Sequence, residues 1–216
     1  MTGRRKKKFE SIKTVLLYVA LIFMAFIMLI PFAWMISASL KLEKDVFSFP
    51  IVWIPEDPQW SNYKEIWQKV PLITGFFNSI KLTVVVTVLQ FITSALAAYA
   101  FAKLEFKGKN IIFMMYIMTI AIPWQVYMVP QYKMMTFLGL TDSHLGIILM
   151  HTFTATGVFL MRQFFMGIPE DLLEAARIDG LSEYGIWAKL ILPLSKPVIA
   201  TLCITSFTFE WNDFMG

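Results

Sequence analysis

The chain has 216 residues, 57% of them hydrophobic and only 16% charged, with a mean hydropathy of +0.63. Soluble domains carry about 45–50% apolar and about 25% charged residues, so an ordinary globular enzyme is excluded and a lipid bilayer is the expected solvent. Nineteen Lys and Arg against fifteen Asp and Glu leave a net charge of +4, and the single cysteine, Cys203, excludes an internal disulfide or a thiolate metal cluster.

The predicted elements run as follows. Basic residues Arg4 to Lys8 lead into an apolar run from Thr14 to Leu40. A cleaved signal has an apolar stretch of about 7–15 residues, whereas about 20 span a bilayer, so this run is read as a retained first helix with its amino end in the cytoplasm. Lys41 to Gly75 then forms an external segment whose Pro50, Pro55, Pro58 and Pro71 favour turns and whose Trp53, Trp60 and Trp67 favour the membrane interface.

A second span is expected from Leu82 to Ala102, where Ser94, Ala95, Ala97, Ala98 and Ala100 allow close helix approach. The third, Asn110 to Tyr132, contains Pro123 and is expected to kink there. The fourth, Ser143 to Met161, carries His144 and His151 seven residues apart, read as a polar seam in preference to a proton relay or haem ligation. A weaker fifth span, Pro197 to Phe209, runs into Glu210, Trp211, Asn212 and Asp213. That last group suits either sugar stacking and hydrogen bonding, with Trp211 and Asn212 on a substrate path, or an interfacial cap.

The expected fold is therefore all-α, a polytopic helical bundle. With the amino end inside, most basic residues fall on the cytoplasmic side, among them Lys103, Lys107, Lys109, Arg162, Arg177, Lys189 and Lys196. Lys41, Lys44, Lys64, Lys69, Lys81 and Lys133 fall outside. This asymmetry orients membrane proteins and accounts for the net charge without a nucleic-acid partner.

Between the fourth and fifth spans, Arg162 to Lys196 is far longer than the usual connection of about 4–6 residues. It reads as helix, turn, helix. Pro169 suits a first helical position, Glu170 and Asp171 suit the positive end of the dipole, and Asp179 with Gly180 ends the helix. Leu172, Leu173, Ala175, Ala176 and Ile178 make an apolar stripe; a second short helix from Ser182 turns Trp187, Leu190 and Ile191 to one side until Pro193 and Pro197. Charges of both signs (Glu170, Asp171, Glu174, Asp179 and Glu183 against Arg162, Arg177, Lys189 and Lys196) suit a protein partner better than a phosphate backbone.

EAARIDG from Glu174 to Gly180, nine residues, and LILP from Leu190 to Pro193 resemble the EAA signature of binding-protein-dependent ABC importer permeases. FFNSIKLT from Phe76, AAYAFAKLEFKGK from Ala97, IPWQVYMVPQY from Ile122, LGLTDSHLGIIL from Leu138 and EWNDF from Glu210 extend the resemblance to the carbohydrate-uptake branch, similar to the maltose-type second permease subunit. The resemblance implies the type I permease fold, alternating access, and no catalytic residue, cofactor or metal in this chain. Its implied partners are a second permease subunit, cytoplasmic ATP-binding subunits and an extracytoplasmic solute-binding protein, in a bacterial or archaeal cytoplasmic membrane. The ATPase-coupling loop then contains Glu174 as a polar anchor, Ala175 and Ala176 as the close-contact face, and Asp179, Gly180, Leu190, Leu192 and Pro193.

Such permeases have six spans, so the resemblance implies that a sixth is missing after Gly216. The expected organisation is residues 1–75 (basic tail, first span, external segment) and a core, 76–216, with its coupling loop at 162–196. No phosphate-binding G-x-x-x-x-G-K-[ST] loop is present: Gly108 and Lys109 have Lys103 and Asn110 at the other required positions. Energy must come from a partner ATPase or, in the alternative reading, from an ion gradient acting through His144, His151, Glu210 or Asp213.

Overall fold

A computed structural model describes residues 2–213, with backbone alone for residues 2–11; the side chains of Arg4 to Lys8, and Phe214 of the EWNDF stretch, lie outside the described residues. Two compact units are present, Met1–Leu72 and Ile73–Gly216. Among the described residues every regular element is helical.

The first unit contains helix α1 (Thr2–Ser39) and the short helix α2 (Ser61–Lys69). From Ile12 onward α1 is long and apolar enough to cross a membrane, and its apolar side chains are exposed along nearly the whole length. The segment after it folds onto its end. Asn62 Nδ2 donates to the carbonyls of Ser39 and Lys41 at 3.0 Å each. The Lys41 ammonium lies 4.5 Å from the Trp34 ring, donates to the Val52 carbonyl, and is buried; Trp34 meets Trp53 edge-on at 5.6 Å.

The second unit opens with α3 (Leu72–Lys103), a 32-residue helix that starts ten residues before the predicted second span. At 1.5 Å per residue it is about 48 Å long, longer than the hydrocarbon core is thick. Its buried face carries Ser94, Ala95 and Ala98, as the small-residue pattern predicts.

The third span is a corner, not a kink. Helices α4 (Lys109–Met118) and α5 (Trp124–Phe137) meet at 102°, with Ile122 and Pro123 extended between them. Proline pushes the residue before it out of the helical region and supplies no N–H of its own, so the chain turns instead of bending. The fourth span is also broken: α6 (His144–His151) and α7 (Ala155–Met166) meet at 43°. Ser143 caps α6 by accepting from Gly146 N–H, and Thr154 caps α7 by accepting from Gly157 N–H, two start signals that hydropathy alone hides.

Because α7 runs on to Met166, Arg162 belongs to a span and not to the loop where the sequence pattern puts it. Its Nε donates to the Phe101 carbonyl at 3.1 Å and its guanidinium covers the Phe113 ring at 4.0 Å. The knob proper follows as α8 (Glu170–Ile178), α9 (Glu183–Ile186), a wide turn over Trp187–Ile191, and α10 (Leu192–Leu194). An 81° bend at Ser195 leads into α11 (Lys196–Trp211).

Spans α3, α7 and α11 meet around Gly157. A Cβ added there would lie 2.6 Å from Ser94 Oγ and from Thr154 Cγ2, and 3.0 Å from Leu202 Cδ1. Close packing of helices in lipid depends on such absences. Gly157→Val is expected to overpack this crossing by about 1–3 kcal/mol, lowering the thermal transition of the detergent-solubilised protein, whereas Gly75→Ala, with open space around it, leaves the transition unchanged.

Candidate functional site

The knob has two faces. Leu173 and Ala176 of α8, Ile186 of α9 and Ile191 of the wide turn are buried and pack in one cluster with Ala95, Ala98 and Tyr99 of α3 and Met161 and Phe165 of α7. Glu174, Ala175, Ile178, Asp179 and Tyr184 are exposed, Ile178 at 86% and Tyr184 at 77%. A nine-residue helix therefore divides the predicted apolar stripe: Leu173 and Ala176 face inward, Leu172, Ala175 and Ile178 outward. Ala176, expected on the close-contact face beside Ala175, is part of the core, because a spacing of three residues puts it one turn from Leu173.

The turn between α8 and α9 follows from Gly180. With φ of +83° it occupies the left-handed region, its N–H reaches the Arg177 carbonyl and the Leu181 N–H reaches the Ala176 carbonyl, both at 3.0 Å. This closes α8 in a Schellman cap. Ser182 then caps α9, accepting from Gly185 N–H at 3.2 Å. Pro169 stands one position earlier than the pattern predicts, as the extended residue before α8.

The LILP stretch is not a simple stop. Leu192 N–H reaches back five residues to the Trp187 carbonyl, so the helix widens by one residue before Pro193, a usual device for accommodating an imperfect helical register. Leu190 and Leu192 are half-buried against the knob core and Pro193 is exposed.

A polar ring ties the knob to the end of α3. Arg177 Nε donates to Glu183 Oε1 at 2.8 Å and its Nη1 to Glu170 Oε1 at 3.2 Å. Glu183 Oε2 accepts from the Tyr99 hydroxyl, and Glu170 Oε2 accepts from Lys103 Nζ at 3.2 Å. Lys103 Nζ also donates to the Ile168 carbonyl at 2.6 Å, and its side chain is only 6% exposed. Arg177, hydrogen-bonded first to Glu183 and then to Glu170, has its pKa raised; Glu183 has its carboxyl held below the ordinary value by Arg177 and, next, by Tyr99. The charges of Glu170, Glu183 and Arg177 are visible in the sequence as mixed sign; Tyr99 and Lys103 were missed, although their four-residue spacing at a helix end puts them on one face.

A second polar cluster joins α3, α6 and α11. Glu210, its side chain 6% exposed, accepts from Gln90 Nε2 at 3.0 Å and faces His151 Nδ1 at 2.8 Å; Gln90 also donates to the His151 carbonyl at 2.7 Å. Asp213 stands 3.9 Å from His151 Nε2, and these three side chains offer donor atoms within 4.8 Å of one another, close enough to hold a metal ion. In the arrangement seen, His151 Nδ1 is hydrogen-bonded to Glu210, and the cluster is a polar network that ties α6 to α3 and α11. His144 does not join it. It lies at the other end of α6, 2.7 Å from Lys81 Nζ, so the two histidines form no relay. Trp211 stacks on Phe207 at 5.9 Å and meets Phe76 edge-on at 6.0 Å, and Asn212 Nδ2 closes the end of α11 on the Thr208 carbonyl.

Comparison with known proteins gives three concordant results. Residues 90–216 match the family described as Binding-protein-dependent transport system inner membrane component. The arabinooligosaccharides transport system permease protein AraQ of Halalkalibacterium halodurans is 32% identical over 97% of the chain and 76% of the relative. The sn-glycerol-3-phosphate transport system permease protein UgpE of Pectobacterium atrosepticum is 34% identical over 80% of the chain and 64% of the relative. Among solved structures, a bacterial ABC transporter involved in the import of the acidic polysaccharide alginate matches with a TM-score of 0.79 and 28% identity, over 98% of the chain and 74% of its own. Nothing in these matches supports an ion-coupled transporter.

Two outcomes test the knob. Nothing lies within 4 Å of a Cβ at Gly180, so its requirement is purely conformational. Gly180→Val is expected to raise amide exchange across residues 179–183 about tenfold, as a left-handed cost of roughly 1–2 kcal/mol dictates, while Gly180→Asn raises it much less. Because Glu183 has a depressed pKa in the fold, its stabilisation is complete above the unfolded value of about 4.3 and is lost as the pH falls through the lower folded value. Protection factors in the knob should hold from neutral pH down to about 5 and fall below about 4, with a flatter profile in Glu183→Gln.

Proposed function

Because this chain belongs to the binding-protein-dependent transport system inner membrane component family, we propose that it is the permease subunit that takes a carbohydrate across a bacterial cytoplasmic membrane in an ATP-driven importer. The observation that carries the reading is the division of the knob into a docked face and a bare one. Leu173, Ala176, Ile186 and Ile191 anchor it to the spans, and Glu174, Ala175, Ile178, Asp179 and Tyr184 are left for a partner. An exposed isoleucine and tyrosine beside two carboxylates form a patch with an apolar centre and charged edge, the usual anatomy of a protein interface. The partner is a cytoplasmic ATPase subunit.

Alternating access then works as a lever. Nucleotide binding moves the ATPase subunits, the knob follows through its bare face, and the motion passes to α3, α7 and α11 through the docked face. A companion permease subunit completes the pathway and an extracytoplasmic binding protein delivers the sugar. The excess of Lys and Arg at the amino end supports a cytoplasmic amino terminus. The half-exposed Trp211 indole and the exposed Asn212 amide that follows it offer an aromatic plane and a hydrogen-bonding group, the chemistry that recognises a sugar ring. Of the substrates named for the relatives, arabinooligosaccharides and the polysaccharide alginate are of this kind, and sn-glycerol-3-phosphate is not.

The test is copurification with the ATPase expressed from the same genomic neighbourhood. Wild-type protein should retain the ATPase, and charge reversal in Glu174→Lys should weaken retention by about tenfold or more, as removal of an interface anchor does, with unchanged membrane insertion. Uptake by right-side-out vesicles or by proteoliposomes with ATP enclosed should require ATP and survive an uncoupler; uptake abolished by the uncoupler with ATP present would overturn the reading.

A further inference from the structure

We propose that Tyr99 and Lys103 are positioning residues for coupling: through the ring Tyr99–Glu183–Arg177–Glu170–Lys103 they lock the knob to the end of α3, so that knob and α3 move as one piece. The inference rests on the coupling role proposed above and names the residues that carry motion from the knob into a particular span.

The geometry singles out α3. Tyr99 and Lys103 are one turn apart on its last turns, and each grips a different carboxylate, Tyr99 that of Glu183 on α9 and Lys103 that of Glu170 on α8. Those carboxylates are joined by one guanidinium, Arg177, through separate nitrogens at 2.8 and 3.2 Å. The ring is closed through the backbone of α3, so neither knob helix can rotate about the helix end without breaking a bond to a charged group. Apolar contacts alone do not give this. Leu173, Ala176 and Ile186 packed on Ala95 and Ala98 resist separation, but small smooth surfaces slide, whereas paired and directional hydrogen bonds fix an angle.

The Lys103 end of the ring is held twice. Lys103 is nearly buried and satisfied by Glu170 and the Ile168 carbonyl together. Swinging the knob away would break both hydrogen bonds of the Lys103 ammonium together, one of them to a carboxylate. Among the described residues no such ring ties the other spans: α7 and α11 flank the knob in sequence and share its apolar cluster through Met161, Phe165 and Leu202. Force applied to the bare face therefore reaches α7 and α11 through the chain itself and through packing, and α3, which no short connection joins to the knob, through the directional bonds of the ring.

The test uses the full transport complex with its ATPase, spin-labelled at Lys189, an exposed knob position outside the bare face, and at Val88, an exposed position on α3, with distances measured without nucleotide and with Mg-ATP plus vanadate. The wild-type pair is expected to give one narrow distance that does not change with nucleotide. In Tyr99→Phe combined with Lys103→Met, which leaves the apolar docking intact, the distance should broaden and shift when nucleotide is added, and substrate-free ATP hydrolysis should persist while ATP-driven transport falls about tenfold, the factor that losing a hydrogen bond to a charged group commands. Tyr99→Phe with Lys103→Arg should restore most of the narrow distance. A wild-type distance that changes with nucleotide would overturn the proposal, and so would a double variant whose distance stays narrow and fixed. Equal loss of ATPase association and hydrolysis would mark the ring as a folding brace only, also overturning it. Absence of ATPase from the wild-type complex would instead refute the proposed function.

Discussion

Two helices of nine and four residues are too short to hold together in water by themselves. The knob exists because α3 offers it a seat: Ala95, Ala98 and Tyr99 form a shallow, nearly smooth wall into which Leu173, Ala176, Ile186 and Ile191 fit. Everything else about the candidate site follows from that docking. It decides which side of α8 is consumed and which is left bare, and it brings Glu170 and Glu183 within reach of Lys103 and Tyr99. Small residues on α3 therefore serve twice, letting α7 and α11 approach within the bilayer and accepting the knob at its edge.

Breaking two of the spans raises a difficulty that hydrocarbon makes severe, since a backbone carbonyl or N–H without a partner there costs several kcal/mol. The break between α6 and α7 shows how the chain meets it. Gln90 donates to the His151 carbonyl at 2.7 Å and Thr93 Oγ1 to the Thr152 carbonyl at 3.0 Å, while Thr154 receives the Gly157 N–H. Side chains of the unbroken α3 thus serve backbone groups that the broken helix has released. The same Gln90 also reaches Glu210, so the buried carboxylate near the end of α11 is satisfied as part of the same repair. A straight helix lends its polar side chains to bent neighbours, which explains why a largely apolar span carries Gln90 and Thr93 on its inner half.

The sequence makes the knob legible because its signals are local: an acidic first turn, a glycine at the closing position, a serine cap, and fixed spacing to Pro193. The all-helical class is legible because hydropathy integrates over long windows. The corner at Pro123 was half legible. A proline announces that a helix is disturbed, but whether the disturbance is a kink or a 102° turn depends on whether Ile122 stays helical, and it is extended here. The break at Thr154 escaped because threonine is apolar enough to pass unnoticed in a span, and its cap bond to Gly157 is a matter of geometry. The ring escaped for another reason: Tyr99 and Glu183 are 84 residues apart, and no local pattern brings them together.

That the knob is fastened by charges, when its core is already apolar, has a physical logic. Hydrophobic burial is non-directional and is roughly proportional to area, so a small core fixes that two elements touch without fixing their angle. Ion pairs at a partly wet edge add little net stability, because desolvation offsets most of the attraction. What they add is orientation, since the fork of Arg177 accepts carboxylates from only a few directions. A surface that only had to fold would gain more from another leucine than from the Tyr99, Lys103, Glu170, Arg177 and Glu183 set. A surface that must turn with whatever pulls on it needs an angle held under load, and the ring supplies that angle where apolar contact cannot.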